Sequence, residues 1–153
     1  MVDARPDRND VITLSIPSRL ELLSLLDQVT DSISGRLDFS DEERSAISLS
    51  VVEAGTNAIQ HGHKADGVTP VDVRFELGPD RLTVLIHDRG KGFQPPTDSP
   101  DMTSPEHLLD LRGRGIYIMR NCMDQVQFEF SGGGTTVRLM KMRRLTNGNL
   151  SHS

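Results

Sequence analysis

The chain has 153 residues, enough for one domain with a substantial core and too few for two ordinary ones. With 35% hydrophobic and 25% charged residues it reads as globular, and a net charge of −5 excludes the bulk basic footprint that nucleic acid requires. Cys122 is the single cysteine, so an intrachain disulfide framework is excluded and a reducing compartment fits.

Met1 to Asp10 is polar and charged, without the apolar stretch of a signal peptide, and no run approaches the ~18 apolar residues of a membrane helix. The cytoplasm is the expected location. Residues 1–9 read as an N-terminal tail, 10–142 as one domain, and 143–153 as a polar, frayed C-terminal tail.

Val11 to Ile16 alternates weakly and predicts a strand that Pro17 ends. Ser18 with Glu21 three residues on predicts a capping box, and Leu22, Leu26, Val29 and Ile33 predict the apolar stripe of the helix behind it, with Gly35 as its stop. Ser40 with Glu43 repeats the signal. Ile47, Val51, Ala54 and Ala58 form one apolar face of that second helix, which Gly62 closes. Glu53, Asn57 and His61 follow one another at steps of four, each turning only about 40° around the axis, so they predict a narrow polar face. Gly55 within the helix costs roughly 1 kcal/mol against Ala, and close packing is its one evident reason.

Val71, Val73, Phe75 and Leu77, then Leu82, Val84 and Ile86 around Gly78-Pro79-Asp80, predict a β-hairpin with one buried face that runs into Asp88. Residues 94–112 are rich in proline and polar residues and predict a lid, with Ser104-Pro105 capping a short helix through Leu109. Ile116 to Met123 predicts a further helix. Val126, Phe128 and Phe130, the Gly132-Gly133-Gly134 turn, and Thr135 to Met140 predict two closing strands. Helices and antiparallel strands are segregated, which predicts an α+β fold: a two-layer sandwich with one sheet face on helices and a pocket between the layers.

Three clusters carry chemistry. Glu53 is a carboxylate able to take a proton from a hydroxyl or water, and Asn57, one turn on, offers an amide oxygen suited to Mg²⁺. The same two residues also fit a plain solvated helix face. His61 is expected to support Glu53 or Asn57 by hydrogen bonding, while His63 and Lys64 are expected at the surface, Lys64 within reach of a phosphate. Asp88, ahead of Gly90 and Gly92, suits the exocyclic amine of adenine, or equally a simple turn. Gly113-Arg114-Gly115-Ile116 precedes the predicted helix, where free N–H groups suit phosphate and Arg114 adds charge. Thr135 is placed to touch adenine through water. Neither the Gly-x-x-x-x-Gly-Lys-[Ser/Thr] loop nor the eukaryotic kinase signatures occur.

In this order, Glu53-Ala-Gly-Thr-Asn57-Ala-Ile-Gln-His61, Asp88-Arg-Gly-Lys-Gly-Phe93 and Gly113-Arg-Gly-Ile116 resemble the ATPase fold shared by DNA gyrase, the ninety-kilodalton heat-shock chaperones and sensor histidine kinases. The continuation Tyr117-Ile-Met-Arg-Asn-Cys-Met-Asp124 resembles one branch, the bacterial anti-sigma-factor serine/threonine protein kinases. The resemblance covers residues 10–142. It implies Glu53 as catalytic base, Asn57 as Mg²⁺ ligand, and Asp88 as the adenine reader. His61, Gly90, Gly92, Gly113, Gly115 and Thr135 would complete the ATP/ADP site, with Arg114 near the γ-phosphate. It further implies phosphorylation of a small anti-anti-sigma antagonist protein, sequestration of a sigma factor, and a homodimer. A nucleotide-holding regulator without transfer and an ATP hydrolase are the rival readings. Gly55 stands where this family often has a bulkier residue, which leaves the local packing open.

Overall fold

A computed structural model describes residues 9–90, 111–131 and 133–143. Strand β1 (Asp10–Pro17) leads through a 3₁₀ turn at Leu20–Leu22 into helices α1 (Leu23–Arg36) and α2 (Asp41–Asn57). A π-helical turn at Ala58–Gly62 follows, then strands β2 (Pro70–Leu77) and β3 (Arg81–Asp88). Helix α3 (Leu111–Cys122) precedes strands β4 (Gln125–Ser131) and β5 (Gly134–Met142). Of the lid expected at 94–112, residues 94–110 with the short helix lie outside the described residues, while Leu111 and Arg112 open α3.

The five strands form one antiparallel sheet in the order β1-β2-β3-β5-β4. Alternation places Val71, Val73, Phe75 and Leu77 of β2, Leu82, Val84 and Ile86 of β3, and Val137 and Leu139 of β5 in the core. The helices cover this face with Leu26 and Ile33 of α1, Ile47, Val51 and Ala54 of α2, and Ile116 and Met119 of α3. Each large apolar side chain buried there contributes about 2 kcal/mol of transfer free energy, so this layer contact supplies most of the driving force. The α+β sandwich expected from the sequence is therefore the observed one. Among the described residues no helix is long and apolar enough to cross a membrane.

Local signals hold in some places and yield in others. Ser40 caps α2 reciprocally: its Oγ accepts from the Glu43 N–H at 3.1 Å, and the Glu43 carboxylate accepts from the Ser40 N–H at 2.9 Å. The Ser18 box does not form. Arg19, not Ser18, precedes the 3₁₀ turn, and the Ser18 hydroxyl is buried in bonds to His63 and Thr69. Gly55 has its packing reason, because a Cβ there would stand 3.0 Å from the Cδ2 atoms of both Leu23 and Leu26. Phe130, next to the end of β4, leaves 47% of its surface exposed, whereas Val126 and Phe128 pack on the core. Arg143, expected in the frayed tail, is anchored: its N–H donates to Asp80 O at 2.7 Å and its guanidinium to Leu37 O and Pro79 O.

Candidate nucleotide site

Helix α2 brings the first cluster to the site. Its apolar face is held by Ile47, Val51 and Ala54, which turns Glu53 to a half-buried position and leaves Asn57 7% exposed. Helix α3 packs directly against that pair. A Cβ added to Gly115 would stand 3.0 Å from Glu53 Oε2 and 3.4 Å from Asn57 Nδ2. The missing side chain of Gly115 is thus what lets the two helices close around the expected base and metal ligand. The described α3 starts at Leu111, so Gly113 and Gly115 lie inside the helix rather than ahead of it, where the sequence placed them. Ile116 and Met119 are wholly buried and draw those residues into the helix by packing on the core. Arg114 is exposed on α3.

The second cluster ends the sheet. Asp88 is the last residue of β3 and is buried, its Oδ1 accepting the Gly90 N–H at 2.9 Å. A carboxylate can accept from several donors, and the exocyclic amine of adenine is one of matching chemistry. Three glycines let other chain segments close on this residue. A Cβ on Gly62 would stand 2.6 Å from Asp88 Cγ, one on Gly134 2.4 Å from Asp88 O, and one on Gly90 2.1 Å from Gly62 O. Thr135 is the cross-strand partner of Asp88, and its buried Oγ1 has no hydrogen-bond partner among the described residues. A buried hydroxyl left so costs about 1–3 kcal/mol, which a bound polar ligand would recover. Gly92 lies outside the described residues.

His61 departs from the expected straight face. The regular helix ends at Asn57, and the next turn is π-helical, with the His63 N–H bonding Ala58 O at 3.0 Å across five residues. The wider turn breaks the step of four that aligns Glu53 with Asn57. His61 instead lines a cavity of about 330 Å³ with Gly62, His63, Lys64, Asp66, Arg89 and Gly90. His63, expected at the surface, is 8% exposed and bonded through both ring nitrogens. Its partners Ser18 and Arg89 lie 45 and 26 residues away, so no local pattern announces it.

Asp66 shapes the loop after the π turn. Its carboxylate accepts from the Thr69 hydroxyl and from the Val68 and Thr69 N–H groups, each 2.9 Å away. These bonds, the Thr69 hydroxyl foremost, pull its pKa from 3.8 down to about 2.

The arrangement fits a nucleotide with Mg²⁺. Among the described residues no three His, Cys, Asp or Glu side chains gather to hold a metal by themselves. The Asn57 amide oxygen suits an ion that takes its remaining ligands from phosphate oxygens and water, as Mg²⁺ does. The orphaned Thr135 hydroxyl beside Asp88 is a polar complement for a nucleotide.

Comparison with known proteins agrees with this geometry. The histidine kinase-like ATPase domain family matches residues 16–141. The serine-protein kinase RsbW of Bacillus licheniformis is 30% identical over 146 residues, spanning 91% of each chain. RsbW of Bacillus subtilis (strain 168) is 30% identical over 137 residues, 86% of this chain and 85% of that one. Among solved structures, the RsbU and RsbW domains of a Mycobacterium tuberculosis protein match with a TM-score of 0.61 at 13% identity, covering 90% of this chain and 34% of that one. The histidine kinase domain of a blue-light activated kinase from Erythrobacter litoralis matches with a TM-score of 0.51 at 24% identity, covering 89% and 64%. At those identities the two structures speak for the fold alone.

Proposed function

The chain belongs to the histidine kinase-like ATPase domain family, on the branch of the RsbW serine-protein kinases, and from that premise we propose that it transfers the γ-phosphate of ATP to a serine or threonine of a partner protein. The observation that carries this reading is the approach of Gly115 to both Glu53 and Asn57, which brings a carboxylate base and an amide donor together against one stretch of α3 backbone.

Bound ATP would supply the phosphoryl group, and Mg²⁺ would offset its charge during transfer. Glu53 takes the proton from the attacking hydroxyl as that oxygen bonds to the γ-phosphorus and the bond to ADP breaks. Asn57 would hold the ion through its amide oxygen. Asp88 accepts from the adenine amine, Thr135 orders water or adenine beside it, and His61, Gly90 and Gly92 border the site. Gly113 and Gly115 admit the phosphates, with Arg114 reaching the terminal one. In this reading the acceptor is a small antagonist protein of the anti-anti-sigma type, and a sigma factor is the alternative partner. A homodimer is the working assembly; the exposed Val11 and Ile12 on edge strand β1 favour such a contact.

A pull-down repeated with ADP and with ATP identifies the partner, and radiolabelled ATP then reads transfer to it. We expect labelling by the native protein and a loss of about 10²–10⁴ in rate for Glu53→Ala, with nucleotide still bound. Equal labelling by both proteins would remove Glu53 from the base role. Tight ATP binding without transfer to any captured partner would favour a nucleotide-dependent regulator.

A further inference from the structure

Nothing in the phosphoryl transfer uses His63, yet its imidazole is buried and its bonding is fully determined. The Arg89 N–H reaches His63 Nε2 at 2.7 Å, and Nδ1 lies 2.8 Å from Ser18 Oγ. A backbone N–H can only donate, so Nε2 is the acceptor and carries no proton. The neutral ring therefore holds its proton on Nδ1 and donates it to Ser18 Oγ. The Ser18 hydroxyl in turn donates to Thr69 O at 2.6 Å. This relay ties the end of β1, the approach to β2, and the π turn to Arg89, the residue between Asp88 and Gly90.

We propose that His63 is a positioning residue for the nucleotide site: in its neutral form it fixes the Arg89 amide, and with it the Asp88 carboxylate and the root of the segment after Gly90. The role rests on the reading of Asp88 as the adenine contact. The Gly90 N–H bonds Asp88 Oδ1 at 2.9 Å and Gly90 packs on the Gly62 backbone, so the turn has little room to adjust when the Arg89 amide is released. Protonation of the ring would set N–H against N–H across the Nε2 contact and break it.

The charged groups around the ring do not supply a substitute. Asp66 lies near enough to act on His63, but its oxygens are taken by Val68 and Thr69. Lys64, Arg89 and His61 share the cavity wall with it, and Arg89 pairs with Asp72 of β2 at 3.5 Å. From the β1 side, Arg19 is turned to Gly67 O at 3.2 Å.

Two measurements test this. In the ligand-free protein, nitrogen NMR of the His63 ring should show the Nδ1–H tautomer at neutral pH; the Nε2–H tautomer would overturn the assignment. Calorimetry with Mg-ATP then compares native protein, His63→Gln, His63→Phe and Ser18→Ala. The glutamine amide oxygen can accept from Arg89, so His63→Gln should bind as native, whereas His63→Phe should bind roughly five- to tenfold more weakly. Weakening of His63→Gln equal to that of His63→Phe, or native affinity in His63→Phe, would overturn the proposal. Should His63→Phe not fold, Ser18→Ala, which removes the acceptor of the Nδ1 proton, must weaken binding severalfold or the relay has no role. Folded native protein that takes up no Mg-ATP sinks the nucleotide reading and this role together; ATP uptake with the wrong tautomer sinks only this role.

Discussion

Gly62 and Asp88 are in direct contact: a Cβ on the glycine would stand 2.6 Å from the carboxylate carbon of the aspartate. A residue that the sequence assigns to closing a helix is also the floor on which the carboxylate proposed to read adenine rests. Gly62→Ala is expected to displace Asp88, cost about 1–3 kcal/mol of stability, and weaken Mg-ATP binding by about tenfold or more. Gly90→Ala should be worse, since its Cβ would meet the Gly62 carbonyl oxygen at 2.1 Å, and backbone cannot swing aside as a side chain can. Thermal melts and calorimetry check both. Unchanged ATP affinity in a folded Gly62→Ala protein would separate Asp88 from nucleotide binding.

At Gly55, two effects oppose each other. Alanine gains roughly 1 kcal/mol of helix propensity, while its Cβ presses on the mobile ends of Leu23 and Leu26 at 3.0 Å. Gly55→Ala is therefore expected within about 1 kcal/mol of native, whereas Gly55→Val adds bulk without the propensity gain and should lose about 1–3 kcal/mol. Urea denaturation of the pair decides whether the α1–α2 contact is as tight as the geometry indicates.

Two serines with the same sequence signature should respond differently. Ser40→Ala removes a formed capping box and is expected to cost about 1 kcal/mol. Glu21→Ala removes only the supposed partner of Ser18 and should stay within about 0.5 kcal/mol, because Ser18 bonds His63 and Thr69 instead. A comparable loss at both sites would contradict the observed bonding.

Asp66 gives the acid limb of stability a defined sign. Its native pKa of about 2 lies below the ordinary 3.8, so the ionised form is favoured by folding. That stabilisation is fully present above 3.8 and is lost as pH falls toward about 2. The gap between native protein and Asp66→Asn should be constant at neutral pH and shrink through this window. A pH-independent gap in denaturation curves would mean that the loop bonds do not distinguish the two charge states.

Much was legible without tertiary contacts. Period-two and helical alternation laid out every described strand and helix in order, because burying one face of an element leaves its period in the residues themselves. The Glu53–Asn57 pairing followed from helical geometry, since both lie within the regular α2. The glycine clusters marked places where chain must come close, without saying to what.

The partners of those close approaches were decided only by folding. Ser18 has the signature of a helix cap, yet its hydroxyl lies where His63 and Thr69 offer buried bonds, and the buried option wins because an unmet polar group inside costs more than a cap at a short turn. His61 left its expected face because one π turn intervenes, and His63 was drawn inward by the Arg89 amide just past the end of β3. Local periodicity records which side of an element faces inward. It carries no record of which distant residue waits there, since that depends on how the layers are joined.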